Sequence, residues 1–318
     1  MALPFHGRGA AIGIGQETTY GTSVARSDWA QTVSSSLHRK VTRNFRPGLV
    51  GVAASFVRRR TVSGITECGG SLEHVLTYEG LGMLLKNALG AATSTGAGPY
   101  VHTYKIDDLP PGLTLESIES GDSGNVAQVA EGVKISRMTL KWSSPSDVAM
   151  VSCDFLAEDV GAYTTAGTPS YDAGALDMVG HQLGALAFGG NSYDLISLEM
   201  TIDNKLTRRN KLGSRLTKEP ARSDFATVTW VAEVEWENGN AITDHRNEVQ
   251  GDAVVTSTGT GNHAATFTLH NAQIWDTPKP VSGPGPGTMR ITFEGTSDGT
   301  DEGFQIAITN DNASAIDA

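Results

Sequence analysis

The sequence predicts a mainly β fold with a single well-marked helix, and three observations carry that expectation. From Ala226 to Glu237 the even positions read Ala226, Val228, Trp230, Ala232, Val234 and Trp236, while the odd positions are polar except Val231. Side chains alternate faces along a strand, so this segment is a strand with one buried and one solvated side. The 37 glycines among 318 residues, well above the usual share of about 7%, set turns between many short apolar segments. Only Tyr78, Leu81, Leu84, Leu85 and Ala88 show clear helical spacing, over 78–89, with Gly90 where a C-capping glycine belongs.

In chain order, Leu37, Arg39, Val41, Arg43 and Phe45 share one face of a strand, opposite His38, Lys40, Thr42 and Asn44. Strands at 50–63 and 65–76 continue a long hairpin with Gly64 at its turn, and the helix follows. After a strand at 101–107, the apolar phase of Val133–Trp142 switches from odd (Val133, Ile135) to even (Met138, Leu140, Trp142). Such a switch predicts a bulge. Strands at 147–156 and 264–275 follow, and Ile196, Leu198, Met200 and Ile202 alternate with polar partners. A shorter helix spans Ala241–Val249, with Ile242, His245 and Val249 on one face. Each helix follows a strand ending in a Glu- and Gly-bearing turn (Glu79-Gly80, Glu237-Asn238-Gly239), the pattern of a duplicated β–β–α unit.

Three segments read as long loops: Ala91–Pro99, Gly161–Gly180 and Pro278–Gly287. The last is a linker by composition. Thr288–Phe293 and Phe304–Thr309, flanking a Gly/Asp turn, read as a terminal hairpin. The expected organisation is therefore one domain over 1–277, a linker at 278–287, and a C-terminal hairpin and tail at 288–318.

Charge narrows the function classes. With 24 Lys+Arg against 35 Asp+Glu the net charge is −11, unlike the positive surface of a nucleic-acid reader. No stretch reaches the roughly 18 consecutive apolar residues of a membrane helix, and Met1–Gly15 does not read as a secretory signal. Cys68 and Cys153 lack disulfide or zinc spacing and read as buried thiols in a reducing cytoplasm. The basic residues cluster. Lys205, Arg208, Arg209, Lys211, Arg215, Lys218 and Arg222 share residues 205–222 with one acid, Glu219. Arg39, Lys40, Arg43, Arg46, Arg58, Arg59 and Arg60 form a second group, whereas 294–318 carries six acids and no base.

No motif for chemistry stands out. Gly121-Asp122-Ser123-Gly124 is similar to the nucleophile segment of trypsin-like proteases, but no histidine has a matching context. Gly13-Ile14-Gly15 lacks the third glycine of a dinucleotide fingerprint. Asp298, Asp301 and Glu302 lack the ordered ligand spacing of a calcium loop. No cofactor, metal or catalytic residue is expected.

The informative feature is an ordered set of segments. Ile12-Gly13-Ile14-Gly15-Gln16-Glu17-Thr18-Thr19-Tyr20-Gly21-Thr22 precedes Val33-Ser34-Ser35-Ser36-Leu37 and Cys68-Gly69-Gly70-Ser71-Leu72. Then come Leu76-Thr77-Tyr78-Glu79-Gly80-Leu81-Gly82-Met83-Leu84-Leu85-Lys86-Asn87-Ala88-Leu89-Gly90, Leu113-Thr114-Leu115-Glu116 and Gly132-Val133-Lys134-Ile135-Ser136. This order resembles the tail tube (major tail) proteins of long-tailed bacteriophages and of related phage-like particles, over essentially the whole chain.

The resemblance implies a β-sandwich or barrel with a flanking helix, no enzymatic activity, and hexameric rings whose long hairpins join into an inner β-barrel. Rings stack into a hollow tube that is built around a tape-measure protein and conducts double-stranded DNA. Terminator and distal tail or baseplate proteins are further implied partners, with assembly in the host cytoplasm, residence in the virion and no membrane insertion. Arg39, Val41, Arg43, Arg58, Arg59 and Arg60 fall on the implied inner-barrel hairpin. Lys205, Arg208, Arg209, Lys211, Arg215, Lys218 and Arg222 are expected at a ring–ring contact. Alternatives are an adaptor or terminator ring, the tube of a contractile injection machine, a carbohydrate-binding β-sandwich suggested by tryptophan content, and a serine hydrolase built on Ser123.

Overall fold

The computed structural model describes residues 6–30, 32–45, 61–120, 124–143, 148–171, 177–180, 182–278, 287–300 and 302–315. The chain begins with β1 (His6–Glu17), β2 (Asp28–Ala30), β3 (Thr32–Phe45), β4 (Thr61–Val75) and α1 (Gly82–Leu89). Next come β5 (Gly90–Thr95), β6 (Tyr100–Ile106), β7 (Gly112–Ser120), β8 (Val126–Trp142) and β9 (Met150–Ala157). The short strands β10 (Asp159–Val160), β11 (Thr164–Thr165), β12 (Leu186–Phe188) and β13 (Asn191–Tyr193) lead to β14 (Leu195–Asp203). A hairpin of β15 (Leu206–Arg209) and β16 (Lys218–Arg222) intervenes before β17 (Thr227–Glu235). The described chain ends with α2 (Asn240–Arg246), β18 (Gln250–Thr258), β19 (Ala264–Asp276), β20 (Thr288–Gly295) and β21 (Phe304–Asn310).

The fold is mainly β, as expected, and every strand except β15 and β16 belongs to one branched antiparallel sheet. Its main run is β3-β4-β9-β8-β14-β17-β20-β19. From β19 the sheet continues on one side through β18 and β12, and on the other through β21, β6 and β5. The hub is β8, whose first half joins β7 and, beyond it, β1 and β2, while its second half joins β9 and β14.

The bulge expected in Val133–Trp142 is present. Register against β9 shifts between Ile135 and Arg137, so Ile135, Met138, Leu140 and Trp142 all reach the core although their spacing changes phase. An extra residue lets one strand re-aim its apolar face and so serve two wings of the sheet. Distant parts of the sheet close over one core: Trp142 of β8 meets Phe267 of β19 edge-on at 5.3 Å, and Trp230 of β17 meets Phe304 of β21 at 6.0 Å. Edge-to-face geometry at these separations is favourable for aromatic rings.

Four expectations are corrected. The helix begins at Gly82 rather than near 78, because Gly80 turns the chain at φ +81° and Tyr78 and Leu81 enter the core before the helix starts. It is also buried on nearly every side, Lys86 excepted, and so is an internal element instead of a flanking one. Gly90 does end it, with φ +121° and its N–H donated to Lys86 O. Ala91–Pro99 is not wholly loop, since Gly90–Thr95 is β5, paired along β6. Gly64 is no turn but lies inside β4, where three β4 steps oppose two β3 steps, Val41↔Thr66 to Arg43↔Ser63. A glycine within a strand often marks such a bulge. The predicted strand at 50–63 falls mostly outside the described residues.

The terminal segments form strands, but β20 and β21 do not pair with each other. Both lie antiparallel along the same edge of β19, β20 against its second half and β21 against its first, with the Gly/Asp turn as an excursion between them. His270 N–H donates to Gly303 O and Thr296 N–H to His270 O, pinning the two ends of that excursion. Most of the expected linker, 279–286, lies outside the described residues.

Candidate assembly surface

The β3–β4 ladder, from Thr32↔His74 to Phe45↔Thr61, is the longest among the described residues. Glycines make this close pairing possible: a Cβ on Gly70 would stand 1.8 Å from Ser36 O. β4 is paired on both sides, to β3 and β9, whereas β3 has a ladder partner on one side only among the described residues. Ser34–Ser36, His38–Lys40 and Thr42–Asn44 are exposed, and Thr32, Leu37 and Val41 are half-buried. Val33 and Val62 stand 58% and 65% exposed on this hairpin. Among the described residues, β3 is therefore a fourteen-residue strand with one open edge.

Among the expected hairpin residues, Arg39 reaches back to Asp159 of β10, Nε to Oδ1 at 2.7 Å. Val41 is half-buried and Arg43 exposed. Arg58, Arg59 and Arg60 lie outside the described residues.

The basic segment folds as the β15–β16 hairpin, with Leu206↔Arg222 and Arg209↔Lys218 opposed. It leans on β4: the Arg208 guanidinium donates to Cys68 O, and Thr66 N–H donates to Arg215 O at 2.8 Å. Lys205 pairs with Asp203 at 2.8 Å, and Arg222 Nη2 donates to Asp107 O at 3.0 Å and Asn204 Oδ1 at 3.2 Å. Glu219, the one acid of the segment, is taken by Lys134 at 2.5 Å. Lys205, Arg208 and Arg222 thus hold the hairpin to its own subunit, while Arg209, Lys211, Arg215 and Lys218 are exposed. At the tip Leu212 is fully exposed.

A set of carboxylates beneath these hairpins escaped the sequence reading. Glu17, 1% exposed, accepts from Thr114 Oγ1 (2.9 Å), Gly132 N–H (2.9 Å) and Gly21 N–H (2.8 Å). Burial pushes its carboxyl up, and those three donors pull it back. Glu158 is raised by burial first, then by the nearby Glu17, Glu131 and Asp159, with Lys211 opposing. Its Oε2 would stand 1.7 Å from a Cβ on Gly21, so the glycine makes room for it. The only sequence signal was position, Gln16-Glu17 directly before a Thr/Gly turn. Three donors hold Glu17 in place beneath the hairpins.

Other candidate residues are equally quiet. Burial raises the Cys68 thiol to about 11 and the Cys153 thiol to about 12, which keeps both protonated and unreactive. Ser123 lies outside the described residues. Asp298 accepts the Thr300 N–H at 2.7 Å and so stabilises its own turn. Among the described residues no cluster of His, Cys, Asp and Glu is placed to hold a metal, and no helix is long and apolar enough to cross a membrane. Trp29, Trp142 and Trp230 are buried and Trp236 packs against the core, leaving only Trp275 broadly exposed at 68%. One exposed indole provides no paired stacking platform for a sugar.

A family model described as "Phage tail tube protein" matches residues 7–297, which spans both hairpins and the whole sheet except β21. A search of the curated proteins finds no match.

Proposed function

The chain belongs to the phage tail tube protein family and is a structural component of a virion's tail tube; on that premise we propose that it acts as six-copy rings. The rings stack into a hollow tube whose acidic lumen conducts double-stranded DNA. The observation that carries the proposal is the open β3 edge. An unpaired row of backbone N–H and C=O groups invites another strand, and a closed ring of copies removes every such edge. Neighbouring hairpins that pair in this way form one continuous inner barrel.

Charge supports the conduit. Six copies multiply the net charge of −11 sixfold. Non-specific DNA affinity comes from neutralising phosphates, so a lumen lined with acids lets the duplex slide without holding it; because the hairpin itself carries Arg39, Lys40 and Arg43, those acids come from other elements of the ring. On this reading the chain assembles in the host cytoplasm around a tape-measure protein, and terminator and distal tail proteins close the two ends of the tube.

The test is negative-stain electron microscopy of the purified protein, alone and with a tape-measure segment, beside a variant lacking residues 38–62. Six-fold rings or tubes from the intact chain and none from the deletion are expected. Rings from the deletion variant would overturn the assignment of the hairpin as the ring-closing element.

A further inference from the structure

We propose that stacked copies meet through opposite ends of the β14–β17 pair, the β15–β16 hairpin of one copy seating on Asp194, Glu235 and Glu237 of the next. The inference rests on the tube reading above and adds to it the counter-surface and the direction of stacking.

Register places the two surfaces. β14 and β17 run antiparallel from Leu195↔Val234 to Asp203↔Thr227. Nine-residue strands span about 30 Å. The basic hairpin leaves β14 after Asp203 and returns to β17 at Thr227, so it sits wholly at one end. Asp194 precedes β14, Glu235 ends β17 and Glu237 follows it, so the acids sit at the other end. Glu235 N–H donates to Asp194 O at 3.2 Å, which holds these two acids together, Glu237 follows two residues on, and all three side chains are exposed. In sequence the base nearest this patch is Arg246 of α2, and in register Arg290 stands opposite Glu233 one step inside the sheet.

A second observation asks for an external acidic partner. Arg209 and Lys218 stand directly opposite each other on β15 and β16, both exposed. Like charges in a cross-strand pair repel and weaken the hairpin that carries them. The nearby acids are already engaged: Asp203 by Lys205, Glu219 by Lys134, and Asp224 through Oδ1 with the Phe225 N–H at 2.8 Å. Neither Arg209 nor Lys218 has an acidic partner among the described residues. An incoming acidic patch turns that repulsion into attraction on both strands, and Leu212 at the tip adds an apolar contact at its centre.

The two patches differ in sign and lie on different ends of one chain. Their contact is therefore heterologous, and when it translates one copy along the next, as in stacked rings, it repeats into a filament with a direction. Charge complementarity of this kind sets orientation and encounter rate more than raw affinity.

The experiment compares tube length by negative stain at about 50 and about 300 mM salt, where screening differs strongly. Wild type is set beside Arg209→Glu/Lys218→Glu, Glu235→Lys/Glu237→Lys, and the chain carrying all four changes. Each double variant is expected to remain folded by circular dichroism and to form rings but at least tenfold fewer tubes. The fourfold variant restores tubes, because its reversed hairpin again meets a reversed end. Wild-type tube lengths from either double variant, or a fourfold variant no better than the doubles, would overturn the inference. So would retention of a short DNA duplex that depends on Arg209 and Lys218 while tube length does not. Absence of tubes from wild type would instead fell the tube reading itself.

Discussion

β17 and β3 both alternate along their length, yet among the described residues one is paired on both edges and the other on one. In β17 the alternating set is Val228, Trp230, Ala232 and Val234, each at most 2% exposed, and both edges are paired, to β14 and β20. In β3 the matching set is Leu37, Arg39, Val41 and Arg43, with serines, histidine and lysine opposite, and one edge is paired. The contrast teaches what alternation does and does not specify. It sets which residues share a face, but burial of that face depends on its content, and the content of β3 offers a single chain little to bury. On the proposed ring, that open edge of β3 is where a neighbouring copy pairs.

The strongest way to break this contrast is to empty the core under β17. Trp230 is 0% exposed and packs edge-on against Phe304. Trp230→Ala should cost about 3–5 kcal/mol, the range for removing a large buried aromatic. Urea unfolding followed by far-UV circular dichroism measures it. A loss below about 1 kcal/mol would mean that β17 is no more central to the monomer than β3.

A smaller effect is expected where β3 meets β4, because backbone proximity, not apolar packing, holds that ladder. Gly70 lies between Ser36 O and the Phe155 ring, which a Cβ would approach to 1.8 Å and 2.9 Å. Gly70→Ala should therefore destabilise by about 1–3 kcal/mol, as overpacking does. Amide hydrogen exchange should show the loss confined to β3 and β4, with β17 protection unchanged. Loss of protection in β17 as well would show that the hairpin and the core unfold as one unit, which sharpens the comparison in the opposite direction.

What the amino acids alone disclosed follows the same division. The face pattern of β17, the bulge that re-aims β8, the Gly90 cap and the second helix were legible because each is written within a dozen consecutive residues. The partner of a strand is not written locally. Thr288–Phe293 and Phe304–Thr309 look like a hairpin because a turn joins them, but β19 is long enough to seat both end to end, and its pairing outcompetes theirs. Gly64 misled for the same reason, since a bulge and a turn both use glycine and only the register distinguishes them. β5 carries small residues with no alternation to betray it, so its pairing to β6 had no local sign. On the candidate surface, the clustering of bases in 205–222 was visible, but which of them anchor the hairpin and which face outward depends on Asp203, Cys68 O and Asp107 O being nearby. Long-range placement also hid the carboxylates, which come from β1, β8 and the β9–β10 junction and meet only in the fold.

Those carboxylates support the smallest prediction, one of sign more than size. Glu158 has its folded pKa raised above the ordinary 4.5, by burial first and by Glu17, Glu131 and Asp159 after it. A carboxyl with a raised folded pKa contributes stability that is present below about pH 4.5 and is lost as pH climbs through the folded value, because the unfolded chain ionises more easily. At pH 7 the ionised Glu158 therefore works against the fold beneath the hairpins. Glu158→Gln keeps the shape over Gly21 and removes that charge, so its melting temperature should exceed that of wild type near pH 7 and lose the advantage near about pH 4. Equal melting temperatures at both pH values would mean that Lys211, reaching down from the exposed hairpin, already neutralises the site in the monomer. That result would tie the charge of the hairpin to its own subunit and weaken the case that β15–β16, like β3, is completed from outside.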